Sequence, residues 1–509
     1  MIIQHGFPSS NFNSLTMAYV KRILSVIIFW GLGQWPLLAG SSWVSDEKNR
    51  LEFDPNQFVI QQVEFQGKLI RVRAFERICY VGNPVDISKQ ILNVYIPEEY
   101  FIGESVSGFT SKTAPIFFPN RIGGYMPADP AVFKPTEQSG PNSSNNRTIL
   151  TALSKGYIVA SAGARGRISK GSDGSFIGKA PAALVDLKAA IRYLKFNDAI
   201  MPGDAKKIIS NGTSAGGALS TLLGATGNHS DFEPYLAAMG AAKAFDDIFA
   251  VSAYCPITNL ENADMAYEWQ LSDIHSFDFR GRKGEIGEEE INVSGELKQA
   301  FPAYLNGLSL RNGQGELLKL DAAGNGNFKE LVKQYIKQSA QKALDQGVDL
   351  QQHAFINIVN KQVQSVDLEG YMRYIGRMKT PPAFDALANN SFENNLFGDE
   401  KTDNKHFTSY AFNHSKMSSP VMATGQQIKM MNPMPYIGDK NATVSKNWRI
   451  RHGAKDRDTG FAVPIILSTL LQNKGYAVDF ALPWDKPHSG DYDLEELFDW
   501  MDRICKETK

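Results

Sequence analysis

The segment Ile-Ile-Ser-Asn-Gly-Thr-Ser-Ala-Gly-Gly, residues 208–217, carries the strongest indication of the fold. It contains the pattern Gly-x-Ser-x-Gly between a short apolar strand and a helix predicted over Ala215–Leu223, for which Gly224 is the expected end. In this context Ser214 lies on a sharp strand-to-helix turn, where a hydroxyl is raised above the sheet and can act as a nucleophile. The Ala215 amide and the positive end of the helix can then stabilise an oxyanion.

Strands and helices alternate on both sides of this segment. The first two predicted strands, Phe58–Phe65 and Leu69–Tyr80, meet across a Gln66-Gly67 turn as a hairpin. Further short strands are predicted at Ile91–Ile96, Ala114–Phe118 and Tyr157–Ala160. A helix follows, with apolar residues at helical spacing at Leu184, Leu187, Ile191 and Leu194. Such alternation predicts a mostly parallel sheet with helices on both faces.

The alternation lapses after Cys255 and resumes near Trp448. The intervening stretch contains an amphipathic helix over Phe328–Ile336, with Asn327 as its expected cap. After Trp448 the pattern predicts, in order, a strand to Arg451, a helix over Phe461–Gln472, a strand over Val478–Leu482 and a helix over Leu494–Ile504. The length of 509 residues allows one large domain with an insertion, or two domains. The simplest interpretation is an α/β-hydrolase core, residues 42–255 and 433–509, with an inserted lid domain, residues 256–432.

A serine hydroxyl needs a base, and the base needs an orienting carboxylate. In this fold the acid follows a late strand and the histidine follows the last one, where only His488 is suitable. The earlier loop reads Arg-His-Gly-Ala-Lys-Asp-Arg-Asp-Thr, residues 451–459. It offers Asp456 or Asp458 as the acid, and Asp485 is a weaker third candidate. From the residues alone, either Asp456 or Asp458 could be the acid of the triad.

A second oxyanion donor is expected from an earlier glycine-rich loop. The loop Phe-Phe-Pro-Asn-Arg-Ile-Gly-Gly-Tyr, residues 117–125, follows a predicted strand. Gly123 and Gly124 would let a backbone N–H approach a substrate closely. The alternative interpretation is a simple turn.

The composition argues against several other classes of function. The 53 lysines and arginines balance 54 acidic residues, so no broad electrostatic field is expected and nucleic acid is not an expected partner. Cys79, Cys255 and Cys505 lie far apart in the sequence. Three cysteines without a motif argue against a disulfide framework and against a metal site.

Residues 1–41 are expected to form an export signal. Lys21 and Arg22 precede the apolar run Ile23–Gly33, and small residues suit cleavage near Ser41 or Ser42. The apolar run is too short to span a bilayer comfortably, although an uncleaved anchor is the alternative. We therefore expect a periplasmic or secreted protein, with no stable membrane partner after signal removal.

Five blocks of the sequence resemble the bacterial tannases, and the resemblance extends through most of the chain after the signal region. The blocks are Gly-Thr-Ser-Ala-Gly-Gly (212–217), Tyr-Cys-Pro-Ile-Thr-Asn-Leu through Trp269 (254–269), Glu-Asn-Asn-Leu-Phe-Gly (393–398), Lys-Asp-Arg-Asp-Thr (455–459) and His-Ser-Gly-Asp-Tyr-Asp (488–493). The resemblance implies an α/β-hydrolase serine esterase in which Asp456 is the acid of the triad. It also implies that Asp458, Lys379 and Glu393 bind the hydroxyls of a gallic acid ring.

These implied roles are chemically reasonable, because two carboxylates and an ammonium can pair with three phenolic hydroxyls. The expected function is hydrolysis of galloyl ester and depside bonds in gallotannins and simple gallates, with release of gallic acid. Small galloyl esters are the expected partners, and neither a metal nor a cofactor is expected. A feruloyl-type or general carboxylesterase is the first alternative. A catalytically silent binding protein of the same fold is the second.

Overall fold

A nine-stranded β-sheet crosses the protein in the computed structural model, which describes residues 51–133, 143–279 and 281–507. In chain order its strands are β1 (Val59–Phe65), β2 (Lys68–Cys79), β3 (Ile91–Pro97), β4 (Pro115–Pro119), β5 (Ile158–Ala162), β6 (Asp204–Thr213), β7 (Ala250–Tyr254), β12 (Asn447–Arg451) and β13 (Ala477–Ala481). Two small hairpins contain the other strands, β8 (Ser276–Phe279) with β9 (Arg282–Glu285), and β10 (Ile356–Val359) with β11 (Gln362–Val366).

The large sheet has the spatial order β1-β2-β3-β5-β4-β6-β7-β12-β13. Neighbouring strands from β5 to β13 run parallel, whereas β1, β2 and β3 pair antiparallel with their neighbours. Every residue of β3, β4, β5 and β7 is buried, as expected for strands with helices on both faces. The predicted α/β-hydrolase fold is thus confirmed in its central feature, a mostly parallel and covered sheet.

The helices carry the chain between these strands. They are α1 (Ser143–Ser154), α2 (Ala182–Phe196), α3 (Ala215–Ala225), α4 (Glu233–Ala238), α5 (Leu260–Leu271), α6 (Glu288–Gly307), α7 (Asn327–Asp345), α8 (Leu368–Ile375), α9 (Phe392–Leu396), α10 (Ser409–Asn413), α11 (Gly425–Met430), α12 (Ala462–Asn473) and α13 (Leu494–Glu507). Helix α3 connects the parallel strands β6 and β7, and α12 connects β12 and β13. These two connections place the ends of β6, β12 and β13 at the same edge of the sheet.

The segment between β7 and β12 contributes helices α5–α11 and the two small hairpins. Within the described residues it adds no strand to the large sheet. The residues that the structure describes form one compact unit. The division into core residues 42–255 and 433–509 and a lid, residues 256–432, therefore stays a prediction, although the lapse in strand–helix alternation is observed.

The predicted export signal, residues 1–41, lies outside the described residues. In the part of the chain that the structure describes, no helix combines the length and the apolar character needed to cross a bilayer.

Two local predictions were wrong. Helix α3 passes through Gly224 and ends at Ala225. Close packing requires a glycine at position 224, because a Cβ would lie 2.2 Å from Val251 Cγ2 and 2.9 Å from Trp448 Cη2. Asn327 does not cap α7; it is the first residue of that helix, and its side chain binds the backbone of Leu317 and Lys319 instead.

The predicted first hairpin is confirmed. Its turn residues Gln66 and Gly67 have φ angles of 51° and 72°. Two consecutive positive φ angles are those of a type I′ turn, whose twist matches that of paired strands.

Two glycine-to-alanine substitutions in helices are expected to have opposite effects. Gly224→Ala should lower the free energy of unfolding by about 1–3 kcal/mol, because the new methyl group overpacks the contact with Val251. The new methyl group of Gly295→Ala in α6 would have no atom within 4 Å, and this change should raise the free energy of unfolding by about 0.5–1 kcal/mol. Urea unfolding of the two variants beside the parent measures both, and equal stability of Gly224→Ala would contradict the packing argument.

Candidate active site

The turn between β6 and α3 holds Ser214 in a conformation that few non-glycine residues adopt. Its φ and ψ are 61° and −125°. Such strain persists only where neighbouring groups fix it, and here the Ser214 N–H donates to the Tyr254 carbonyl at 2.9 Å. A Cβ on Gly212 would lie 2.3 Å from the Gly216 carbonyl oxygen. Gly212 is therefore needed because the chain nearly touches itself at this turn. Gly216 is needed because a Cβ there would lie 2.5 Å from Asn120 Oδ1.

The three side chains predicted as a triad form one continuous chain of contacts. His488 Nε2 lies 2.8 Å from Ser214 Oγ, and His488 Nδ1 lies 2.8 Å from Asp456 Oδ2. Asp456 is fully buried, whereas a quarter of the His488 side chain is exposed. This arrangement suits the tautomer in which Nδ1–H donates to the carboxylate and Nε2 accepts the serine proton.

The other two aspartates considered for the acid lie elsewhere. Asp458 forms an ion pair with Lys379, with 2.9 Å between Oδ1 and Nζ. Asp485 pairs with Lys455 at 3.0 Å and accepts a hydrogen bond from the Tyr374 hydroxyl. Among the three candidates, the structure brings Asp456 to His488.

Burial and charge act in opposite directions on this pair. Burial alone would raise the pKa of Asp456, but His488 and His452 hold it well below its usual range. Burial would lower the pKa of His488, yet the Asp456 carboxylate raises it well above 6.5. The buried carboxylate therefore stays ionised and stabilises an imidazolium at His488.

The loop after β4 lies beside Ser214, as expected for an oxyanion loop. Gly123 and Ser214 line a common cavity of about 240 Å³. Asn120 holds this loop against the nucleophile turn by donating from Nδ2 to the Gly216 carbonyl at 3.0 Å. The Gly124 carbonyl accepts a hydrogen bond from Arg167 Nε at 2.9 Å. Ala215 begins α3, where amide groups have no partner within the helix.

The three residues implied to bind a ring lie in one charged cluster. Burial would lower the pKa of Lys379, but the carboxylates of Asp458 and Glu393 raise it. Burial raises the pKa of Glu393, and Asp458 adds to that effect while Lys379 opposes it. Lys379 Nζ also lies 3.8 Å from the centroid of the Phe384 ring. Asp458 is therefore ion-paired with Lys379, and Glu393 lies near enough for its charge to act on the pKa of Lys379.

This cluster is joined to the triad by the backbone. The Asp458 N–H donates to Asp456 Oδ1 at 2.8 Å. The Tyr267 hydroxyl accepts from the Lys379 N–H at 3.1 Å and donates to the Arg457 carbonyl at 2.9 Å. Asp456 and the charged cluster are therefore held in a fixed relation by two hydrogen-bonded links.

Several supporting residues were missed in the sequence. Asp491 and Asp493 hold the loop of His488 to the sheet: Asp491 Oδ1 accepts from Asn211 Nδ2 at 2.9 Å, and Asp493 Oδ1 accepts from the Tyr254 hydroxyl at 2.5 Å. Tyr267 was missed as well. These partners are far apart along the chain, so no spacing pattern could have indicated them.

Comparisons with known proteins agree with this geometry. A family model described as BD-FAE matches residues 133–300, which include Ser214. A comparison with curated proteins gives no significant match. Among solved structures, the native tannin acyl hydrolase from Lactobacillus plantarum is 48% identical with a TM-score of 0.86, over 90% of this chain and 99% of that one.

Two further structures match equally well. The tannase of Fusobacterium nucleatum is 49% identical with a TM-score of 0.86, over 90% of this chain and 100% of that one. A tannin acyl hydrolase in complex with ethyl gallate is 49% identical with the same TM-score, over 90% and 99% of the two chains.

The chain belongs to the tannase family. The resemblance seen in the five sequence blocks is thus confirmed, and this member of the tannase family is a carboxylic ester hydrolase with an α/β-hydrolase fold.

The raised pKa of His488 has a consequence for the pH profile. A general base must be neutral, so kcat/KM should fall as the pH decreases through the pKa of His488, and this acidic limb should lie above pH 6.5. Asp456→Asn should move the limb to lower pH and reduce kcat by about 10⁴-fold. Steady-state rates between pH 5 and 9 measure both effects, and a parent limb at or below pH 6.5 would contradict the assignment.

Proposed function

We propose that this enzyme hydrolyses galloyl esters by acyl transfer to Ser214, with His488 as general base and Asp456 as its orienting carboxylate. The observation that carries the proposal is the contact chain Asp456–His488–Ser214, linked through the loop of Asp456 to the Asp458–Lys379 ion pair. A nucleophile linked in this way to groups that can bind phenolic hydroxyls supports an ester of a phenolic acid as the substrate. The substrate class follows from that pairing and from a relative that was solved in complex with ethyl gallate.

The reaction has two steps. His488 Nε2 takes the proton of Ser214 as Oγ attacks the ester carbonyl, and the imidazolium that forms is stabilised by Asp456. The oxyanion is bound by the Ala215 amide and an amide of the Gly123 region. The imidazolium then protonates the leaving alcohol, and His488 activates a water molecule that releases gallic acid from Ser214.

The acyl group is recognised by its hydroxyls. Ionised carboxylates accept from phenolic O–H groups and an ammonium donates to a phenolic oxygen, so Asp458, Lys379 and Glu393 together can engage all three. The charges are partly buried, which strengthens these bonds. An acyl ring without hydroxyls would leave the cluster desolvated and unpaired, and such sites reject that substrate by about 10⁴-fold or more in favourable cases.

A comparison of esters tests the proposed specificity. The enzyme should hydrolyse methyl gallate and methyl protocatechuate much faster than methyl ferulate, because ferulate carries a methoxy group and a longer acyl chain. Chromatographic measurement of the released acids gives the rates, and Ser214→Ala should abolish turnover of all three. Preference for ferulate would favour the feruloyl-type alternative, and undiminished turnover by Ser214→Ala would reject the mechanism.

The role of the ammonium is tested by Lys379→Met. This change should reduce kcat/KM for methyl gallate by about 10- to 100-fold, because a hydrogen bond to a charged group is worth about 1.5–3 kcal/mol. The same change should alter the rate with methyl benzoate far less. Lys342→Met, which removes an exposed lysine that pairs with Glu496, serves as the matched control. An equal loss on both esters would argue against a role for Lys379 in hydroxyl recognition.

We also propose that the enzyme is exported and that residues 256–432 act as a lid domain. The basic residues Lys21 and Arg22 before an apolar run support export. Lys379 and Glu393 belong to the insertion, which supports a lid that completes the acyl pocket. N-terminal sequencing of the protein recovered outside the cytoplasm should give a first residue at Ser41 or Ser42, and recovery only of the uncleaved chain from membranes would favour an anchor.

A further inference from the structure

Three potential metal ligands lie close together, and one of them is the triad residue Asp456. Cys255 follows β7, and His452 and Asp456 follow β12. One ligand atom from each residue lies within 4.8 Å of the other two, and all three side chains are buried. His452 Nδ1 is 3.8 Å from Asp456 Oδ2, the same oxygen that contacts His488. The proposed mechanism uses Asp456 but neither Cys255 nor His452.

His452 lacks the partners that a buried imidazole normally has. Its side chain is fully buried, and neither ring nitrogen has a partner at ordinary hydrogen-bond distance among the described residues, although the Thr459 backbone lies close enough to raise its pKa. An unsatisfied buried polar group costs about 1–3 kcal/mol. The ring packs edge-on against Phe461, with 5.5 Å between the centroids. A phenylalanine could pack in the same way, so packing does not account for the two nitrogens.

We propose that Cys255, His452 and Asp456 form a site for a thiophilic divalent cation such as Cd²⁺ or Zn²⁺, and that occupation of this site inactivates the enzyme. A thiolate, an imidazole and a carboxylate are the ligand types that such ions prefer. The ligand atoms need only small shifts to reach distances of about 2.0–2.3 Å from a shared ion. The ion would bind Asp456 Oδ2 and so compete with the hydrogen bond that orients His488.

Two of the three ligands, His452 and Asp456, are already in the protonation state that binds a metal ion, whereas Cys255 must first lose its proton. Burial lowers the pKa of His452, which therefore has a free lone pair at neutral pH. Asp456 is ionised, because His488 outweighs the effect of burial on its pKa. Burial raises the pKa of Cys255 to about 11, and Asp456 adds to this effect while His488 opposes it.

Binding therefore releases one proton. The S–H bond of Cys255 breaks, a metal–sulfur bond forms, and the proton passes to the solvent without any oxidation or reduction. The titratable groups that face the thiol are Asp456, His488 and Tyr492, and Asp458 also faces His452.

Burial also determines how fast the ion enters. None of the three ligands is accessible at the surface, so an ion reaches them only when the surrounding loops open. Inhibition should develop over a preincubation and reverse slowly after a chelator is added. A metal that acted at an exposed residue would instead inhibit within the mixing time.

The full chain, its Cys255→Ser variant and its Cys79→Ser variant should be preincubated with CdCl₂ or ZnCl₂ and assayed on methyl gallate. The parent and Cys79→Ser should lose activity slowly and regain it with EDTA, whereas Cys255→Ser should need at least about 10-fold more metal for half-inhibition. Cys79 is the matched control because it is a free and more accessible cysteine. His452→Phe should behave like Cys255→Ser. Every rate is compared with that of the same variant without metal.

A second measurement does not depend on catalysis. The ultraviolet absorption of a cadmium–thiolate bond should appear with one equivalent of Cd²⁺ in the parent and in Cys79→Ser, and not in Cys255→Ser. Equal inhibition of Cys255→Ser and the parent, or full binding at Cys255 without loss of activity, would overturn the inference. Absence of methyl gallate turnover in the metal-free parent would instead count against the proposed function.

Discussion

The hydrogen bond between the buried carboxylate of Asp456 and His488 constrains the whole site. A carboxylate without access to water must be compensated by donors and positive charge, or it would take up a proton. Asp456 receives one hydrogen bond from His488 and another from the Asp458 N–H. The second bond fixes the backbone at Asp458, two residues further along the chain. The hydrogen bond that stabilises the ionised Asp456 therefore also sets the position of the Asp458 side chain. Under the proposed function, orientation of the base and recognition of the acyl ring thus depend on one short loop.

The insertion must be held firmly for Lys379 and Glu393 to meet that loop. Arg377 and Glu268 form a fully buried ion pair, and the Arg377 guanidinium also donates to backbone carbonyls of Ile274 and Leu271. Removal of one partner from such a pair costs about 3–5 kcal/mol, because the other charge stays buried. The main effect of the Arg377–Glu268 pair is therefore to fix the segment before Lys379, and not to add net stability.

A second buried carboxylate organises the segment that bears Glu393. Asp385 accepts hydrogen bonds from the Asn394 side chain, from His406 and from the backbone and hydroxyl of Thr408. Beside it, burial and the charge of Asp385 raise the pKa of Asp264 to about 8. Both aspartates lie where the chain approaches the active site, and their buried oxygens are satisfied by fixing the local backbone.

The sequence predicted those features that depend on local patterns. The nucleophile turn follows from a short motif, the parallel sheet from the alternation of strands and helices, and the base His488 from its position after the last predicted strand. The choice between Asp456 and Asp458 could not be made from spacing, since both follow the same strand; the resemblance implied Asp456, and the structure brings that residue to His488. Tyr267, Asp491 and the proximity of Cys255 to His452 were missed because they depend on how segments distant in the sequence pack together. Gly224 and Asn327 were misjudged because tertiary packing outweighed local helix rules.

The most direct test of this account separates the two functions of the Asp456–Asp458 loop. In Asp458→Asn the backbone N–H that binds Asp456 is retained and only the side-chain charge is lost. We predict that the variant reacts with a fluorophosphonate at Ser214 within about twofold of the parent rate, while kcat/KM for methyl gallate falls by about 10-fold or more, as loss of a charged hydrogen bond implies. A parallel loss of fluorophosphonate reactivity, or unchanged turnover of methyl gallate, would contradict it.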